Sequence, residues 1–285
     1  MTDGIRTFKG ATAIITGAAS GIGHAIAMEL ARRGSSLVLA DRQIERAQEI
    51  ARQICAEGGH AYAREVDVRD YQAVAALVGE ALTTTGRLDY LFNNAGIGVA
   101  GKVSELTVDD WDMTLDVNIR GVTNGIHACY NIMVAQGYGH IVNTASMAGL
   151  IPAPSFVAYS GSKFAVVGLS KALRIEAELN GIHVSVLCPG AIDTPILSGG
   201  VYGKLPIGID RAQAQKYWAP IRPMAPETFA KRALDDVAKN VPVIILPRRW
   251  RLIHWLCQLS PRLWYWASKK DLRRAQRLLN RVDKP

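Results

Sequence analysis

Cysteine is scarce, with four in 285 residues. Cys55, Cys129, Cys188 and Cys257 lie far apart, form no CxxC pair and have no histidine partner at metal-ligand spacing. That excludes a disulfide framework and a structural metal site, and it points to a reducing, cytosolic setting. Internal repeats and long polar low-complexity tracts are absent too. No secretory leader is expected, because residues 1–10 are polar and the first apolar run reads as a strand. A basic excess is also missing from most of the chain, although the formal net charge is +8. Residues 248–285 hold 11 of the 33 Lys/Arg and 2 of the 25 Asp/Glu, which leaves 22 basic and 23 acidic residues before them, a net of −1. A generally basic protein would suggest nucleic acid. A neutral body with a basic, tryptophan-rich tail suggests something more local, and nucleic acid becomes a remote reading.

What the chain does have is apolar material, 49% of its residues, enough for a sizeable core in one large α/β domain. Short apolar runs at 11–16, 36–41, 60–68, 88–92, 140–144, 183–187 and 241–246 alternate with helical patterns at 22–33, 43–57, 70–85, 107–136, 155–180 and 226–239. That rhythm predicts βαβ units, hence a parallel sheet covered by helices on both faces. The expected fold class is α/β: a single doubly wound Rossmann-like domain over 1–247, followed by a helical extension over 248–285.

The first strand runs directly into Thr16-Gly17-Ala18-Ala19-Ser20-Gly21-Ile22-Gly23 and then a helical pattern. Glycines there let backbone N–H groups approach a pyrophosphate at the positive end of a helix. The spacing is G-x-x-x-G-x-G, so it meets the commoner dinucleotide pattern only approximately. Asp41 closes the second strand 18 residues after Gly23, near the position of a carboxylate that accepts hydrogen bonds from adenosine ribose hydroxyls. Such a carboxylate repels the 2′-phosphate of NADP and favours NAD. Arg42, next in sequence, offers a phosphate a partner and keeps NADP open.

Further motifs follow in order: Asn93-Asn94-Ala95-Gly96, Asn118 in Val117-Asn118-Ile119-Arg120-Gly121, Ser146 after Thr144-Ala145, Tyr159-Ser160-Gly161-Ser162-Lys163, and Pro189-Gly190-Ala191-Ile192-Asp193-Thr194. Together with the glycine turn they resemble the short-chain dehydrogenase/reductase family, over roughly residues 8 to 247. The resemblance implies a catalytic tetrad of Asn118, Ser146, Tyr159 and Lys163. It places Thr16, Gly17, Ser20, Gly21, Ile22, Gly23, Asn94, Ala95 and Gly96 at the cofactor, and Asp67 and Val68 at its adenine. Pro189, Gly190, Ile192 and Thr194 would lie along the nicotinamide. It also implies that Lys163 holds the nicotinamide ribose and that Asn118 holds a water linking Lys163 to solvent.

The residue types lead to the same chemistry. Tyr159 and Lys163 stand four apart in a helical segment and share a face. A tyrosine titrates near ~10, and a neighbouring ammonium is expected to lower that value and so fit it for proton transfer. Ser146 would orient the reacting oxygen. No metal is needed, since the cofactor carries the hydride. The expected function is NAD-dependent hydride transfer between the nicotinamide and a secondary alcohol or ketone. Its rivals are an NADPH-preferring carbonyl reductase and a cofactor-binding sensor or interaction module.

Residues from about 191 to 225 contain Tyr202, Leu205, Ile207, Ile209, Tyr217 and Trp218, an apolar set that suits either a greasy substrate lid or a loop packed on its own core. In 248–266, Leu252, Ile253, Trp255, Leu256, Leu259 and Leu263 recur at helical spacing, with Arg251, His254, Gln258 and Arg262 between them. That is an amphipathic helix, kinked at Pro261 if it continues, too short and too charged to span a bilayer. Its stripe fits an anionic membrane surface, which would put the protein at the inner face of a membrane, or it packs on the body or a second subunit. A membrane contact would imply a lipophilic substrate of steroid, retinoid or long-chain type. The resemblance implies a homo-oligomer joined through 107–136 and 155–180. A dimer is expected over a tetramer, because the extension follows the final strand and obstructs a second interface.

Overall fold

The computed structural model describes residues 4–279. Seven parallel strands form one sheet in the order β3-β2-β1-β4-β5-β6-β7. They are β1 (Thr12–Thr16), β2 (Ser36–Asp41), β3 (His60–Glu65), β4 (Tyr90–Asn93), β5 (Gly139–Thr144), β6 (Ile182–Pro189) and β7 (Val243–Leu246). The helices are α1 (Gly21–Arg32), α2 (Ile44–Ala56), α3 (Tyr71–Thr85), α4 (Val108–Leu115), α5 (Gly121–Gln136), α6 (Val157–Glu178), α7 (Arg211–Trp218), α8 (Pro226–Ala238), α9 (Arg249–Leu259) and α10 (Pro261–Leu279). The order reverses between β1 and β4, and in such sheets the crevice beyond the strand C-termini at that reversal is where ligands bind. This is the doubly wound α/β fold with a helical C-terminal extension that the sequence leads one to expect.

Both faces of the sheet are covered. Ile15, Leu37, Leu39 and Phe92 face one layer, packed with Ile26 and Leu30 of α1 and Phe229 and Leu234 of α8. Ile14, Val38, Leu91 and Ile141 face the other, with Val74, Leu77, Cys129 and Met133. Alternation along each strand sends neighbours to opposite layers, and burial on both faces explains why these strands read as continuous apolar runs. Local chemistry sets several helix ends. The Asp70 carboxylate accepts from the backbone N–H of Gln72 and Ala73 and starts α3, and Gly86, at φ 72°, stops it in the left-handed region.

Three segments differ from expectation. The single helix expected over 107–136 is interrupted: α4 passes into a π-helical turn, Asp116–Arg120, before α5 begins. A π-turn is a single-residue bulge that re-aims side chains and recurs at functional positions, and this one carries Asn118. β3 ends at Glu65, so Asp67 and Val68 lie in the loop after it, where Arg69 grips the Asp67 carboxylate. In the extension, Pro261 does not kink a continuing helix. It opens a second one, as its missing N–H and fixed φ allow at a first helical position. The apolar stripe of the tail is also divided: Trp250, Ile253, Cys257 and Trp264 pack on Val166, Val167, Val186 and Ile245, whereas Leu252, Trp255, Leu256 and Leu259 stay exposed. The Leu263 side chain and residues 280–285 lie outside the described residues.

Candidate active site

The glycine turn after β1 is held from below. Thr16 Oγ accepts from the N–H groups of Asn94 and Ala95, at 3.0 and 3.1 Å, and Asn94 Nδ2 donates back to the Thr16 and Gly17 carbonyls. Gly17 and Gly21 have φ of 67° and 55°, the region glycine tolerates best. A Cβ on Gly23 would stand 2.1 Å from the Gly17 carbonyl oxygen, so only glycine lets α1 approach the turn this closely. The Ser20 side chain, at the N-cap of α1, caps no N–H of that helix. The result is a cradle at a helix N-terminus, the arrangement that receives a pyrophosphate.

Asp41 at the end of β2 is buried. Its two carboxylate oxygens accept from the N–H of Ala19, at 3.0 Å, and of Gln43, at 2.9 Å. Those donors fix its orientation and keep its charge beside the glycine turn. Arg42 stays at this end of the cavity but is engaged by the chain itself: its guanidinium lies 4.6 Å from the Tyr202 ring centroid and 3.7 Å from the Asp67 carboxylate. Arg69 holds the Asp67 carboxyl below the usual carboxylate range.

Along the strand ends, Ser146 Oγ accepts from Ala148 N–H at 3.1 Å, and its hydroxyl stands close enough to the Tyr159 phenol to favour the phenolate. Lys163, one turn along α6 from Tyr159, is buried and donates to the Thr144 carbonyl at 2.9 Å. Gly96 separates it from Asn118: a Cβ there would lie 3.3 Å from Lys163 Nζ and 3.1 Å from Asn118 Oδ1. Asn118 Oδ1 accepts from Ile97 N–H, and its Nδ2 donates to the Ile97 carbonyl and to Ser162 Oγ. Burial pulls the Lys163 ammonium down to about 8. Burial also pushes the Tyr159 phenol up, more than the nearby Ser146 hydroxyl brings it down. This is opposite to the lowering expected from Lys163. The ammonium sits 5.7 Å from the Tyr159 ring centroid and is directed at a backbone carbonyl, so desolvation decides the sign.

One continuous cavity of about 920 Å³ joins these parts. Gly17, Ser20, Gly21 and Ile22 line it at one end with Asp41, Arg42, Asp67 and Val68. Asn94, Ala95, Gly96, Ser146, Tyr159, Lys163, Pro189, Gly190, Ile192 and Thr194 follow. Thr16, Gly23 and Asn118 stand behind this wall, where they hold its shape. Beyond Tyr159 the lining turns apolar. Phe156 lies 6.3 Å from Tyr159 and 6.3 Å from Trp218, and Trp218 lies 5.3 Å from Tyr217, an aromatic wall running outward from the phenol. The segment after β6 closes over it. Its Lys204 bridges the backbone of Gly98 and Ala100 at 2.9 Å each and pairs with Asp110.

Four lining residues come from the tail and were not expected at the site: Trp250, Trp264, Ser268 and Leu272. A Cβ on Gly190 would meet Trp250 Nε1 at 2.2 Å, so that glycine admits the tryptophan. Arg249 donates to the carbonyls of Ile221 and Arg222, tying α9 to the closing segment. The sequence signal was present in the tryptophan density, but nothing in it tells a helix face turned toward the cavity from one turned to solvent. Arg46, which donates to the Ala19 carbonyl at 3.1 Å, lines the cofactor end and was also missed.

A Rossmann-type crevice with a glycine cradle at one end and a Ser–Tyr–Lys cluster in the middle defines a dinucleotide-dependent oxidoreductase. Comparison with known proteins makes this particular. The short chain dehydrogenase family model matches residues 11–200. An uncharacterised oxidoreductase of Listeria innocua is 40% identical over 193 residues, 67% of this chain and 78% of its own. A short-chain dehydrogenase/reductase from Burkholderia phymatum, solved in complex with NAD, superimposes with a TM-score of 0.81 at 31% identity, covering 91% of this chain and 96% of its own. An alcohol dehydrogenase from the archaeon Thermococcus sibiricus, solved with 5-hydroxy-NADP, gives 0.71 at 27% identity, covering 84% and 95%. The chain belongs to the short-chain dehydrogenase/reductase family and is an oxidoreductase acting on CH–OH groups.

Proposed function

We propose that the protein interconverts a lipophilic secondary alcohol and its ketone with NAD, using Tyr159 as acid/base. The observation that carries this reading is the single cavity with Asp41 at one end, the Ser146–Tyr159 pair in the middle and an aromatic wall beyond it. NAD fits the residues present: the glycines let the turn close tightly against α1 and Ala95, so that Gly17, Ser20, Gly21 and Ile22 line the open cavity at a helix N-terminus, and the buried Asp41 lines the same end for ribose hydroxyls. When bound, NAD supplies the hydride acceptor for oxidation, and its reduced form the donor for reduction. Thr194, beside Gly21, and Gly190 with Ile192 would flank it, and Lys163 would hold its ribose.

The chain's own contribution is proton handling. Tyr159 exchanges a proton with the substrate oxygen, and Ser146 orients that oxygen from the other side. Asn118 fixes the loop at Ile97 and the start of α6 at Ser162, and so keeps Lys163 beneath the phenol. Apart from the cofactor strip, the cavity offers the substrate mainly carbon. That favours a steroid-, retinoid- or long-chain-like skeleton over a small polar alcohol.

The same family includes structures with NADP ligands, and Arg42 with Arg46 keeps an NADPH-preferring reductase as the second reading. Asp41→Ala decides between them. Removing the carboxylate should weaken NADH binding roughly ten-fold or more, the loss expected for a charge-assisted hydrogen bond, and should narrow the gap to NADPH. Parallel fluorescence titrations check this, followed by nicotinamide absorbance with secondary alcohols of increasing chain length. Tighter NADPH binding by the wild type would overturn the NAD assignment, and turnover confined to short polar alcohols would overturn the lipophilic one.

A second copy of the chain is the partner we assign to 107–136 and 155–180, where Leu115 of α4, Val134 of α5, Ile175 of α6 and Leu179 at its C-cap are exposed. A dimer, not a tetramer, is the state we assign, because the extension after β7 packs on Val166, Val186 and Ile245 next to where a second interface would form. We place the enzyme in the cytoplasm, on its four scattered cysteines. No helix among the described residues is long and apolar enough to cross a membrane.

A further inference from the structure

The two tail helices each have two dissimilar sides. On α9, Trp250, Ile253 and Cys257 pack into the body, and on α10, Trp264, Ser268 and Leu272 line the cavity. The opposite sides are not used by this chain. Leu252, Trp255, Leu256 and Leu259 recur at i, i+3, i+4 and i+7 on α9 and are 60%, 57%, 48% and 63% exposed. That spacing puts four large apolar side chains on one stripe facing solvent. On α10, Tyr265 and Trp266 are 56% and 62% exposed, flanked by exposed Arg262, Lys269, Lys270 and Arg273, with Lys270 Nζ 5.3 Å from the Trp266 ring centroid. Scattered exposed hydrophobics need no explanation, but a helical stripe of this size does.

We propose that the solvent-facing sides of α9 and α10 dock on an anionic lipid surface. Charge selects this occupant. The tail carries 11 Lys/Arg against 2 Asp/Glu, so two copies apposed through it would bring like charges together, whereas anionic headgroups complement them. Exposed tryptophan and tyrosine beside basic residues are the composition that settles at a headgroup boundary. The helices lie on the surface rather than crossing it. The consequence for the enzyme rests on the lipophilic-substrate reading. Trp264, Ser268 and Leu272 put the inner side of α10 in the cavity wall, so the helix that touches lipid also borders the substrate space.

The test needs no substrate and is independent of that reading. Full-length protein is floated with phosphatidylcholine vesicles, with or without phosphatidylglycerol, at low and high salt. Wild type should partition roughly ten-fold more onto the anionic vesicles, with loss at high salt. The double variant Trp255→Ser, Leu259→Ser should lose that binding while still titrating NADH like wild type, because neither residue reaches the core or the cavity. The variant Lys269→Glu, Lys270→Glu should lose the preference for anionic vesicles. Absence of binding, equal binding to both vesicle types, or unchanged binding by both variants would overturn the proposal. So would a fall in oligomer mass caused by Trp255→Ser, Leu259→Ser in sedimentation, which would assign the stripe to a second copy.

Discussion

Tyr159→Phe should lower kcat by roughly a thousand-fold while NADH affinity stays within about two-fold, because a positioned acid/base contributes about that much. The substitution deletes only the hydroxyl. The ring keeps its place against Phe156, and Ser146 keeps its bond from Ala148 N–H, so the cavity should be unchanged. The pH dependence should change as well. Burial raises the Tyr159 phenol above its ordinary value, so base-assisted alcohol oxidation by the wild type should climb with pH into the alkaline range. The residual rate of the variant should lack that climb. Stopped-flow or steady-state nicotinamide absorbance across pH measures both. Activity within a few-fold of wild type would remove Tyr159 from the chemistry.

Lys163→Met should do two opposite things: abolish turnover and stabilise the fold. The ammonium is buried and held down to about 8 by desolvation, with a single Thr144 carbonyl as its hydrogen-bond partner. A lysine whose folded value lies below its unfolded one binds its proton less well when folded. The fold therefore bears that cost below pH 8, and sheds it as pH rises through 8 toward the ordinary lysine range. A depression of this size corresponds to roughly 3 kcal/mol. Losing the bond to Thr144 returns about 1 kcal/mol of it, leaving a net gain near 2 kcal/mol at neutral pH. Thermal unfolding should then rise by about 5 °C for a chain of this length, and the gain should shrink in alkaline buffer. A variant less stable than wild type at pH 7 would mean that Lys163 is paired well enough to favour the native state. Natural sites tolerate such strained groups where the chemistry needs them.

Much of this arrangement could be read along the chain. The strand–helix rhythm gives the parallel sheet because period and apolar run length are local properties. The glycine turn, Asp41, Ser146, Tyr159 and Lys163 were nameable because each sits at or near a strand end or one helical turn from another, and the sheet brings strand ends together. Three features escaped. The π-turn at Asp116–Arg120 interrupts a stretch that reads along the sequence as ordinary helix. The direction of the Tyr159 shift depends on how much protein surrounds the phenol, which spacing on a helix does not encode. The two-sided use of the tail depends on where the body lies relative to each helix turn.

The sequence by itself therefore determined the layer architecture, the family and which residues are proposed for the reacting centre, since those follow from periodicity and from short motifs with fixed local geometry. Tertiary structure alone decided that Trp250 and Trp264 join the cavity, that Arg42 turns to Tyr202, and which apolar side chains of α9 remain uncovered. The physical reason is the same in each case: burial and charge environment belong to a position in space, and residues far apart in the chain set them.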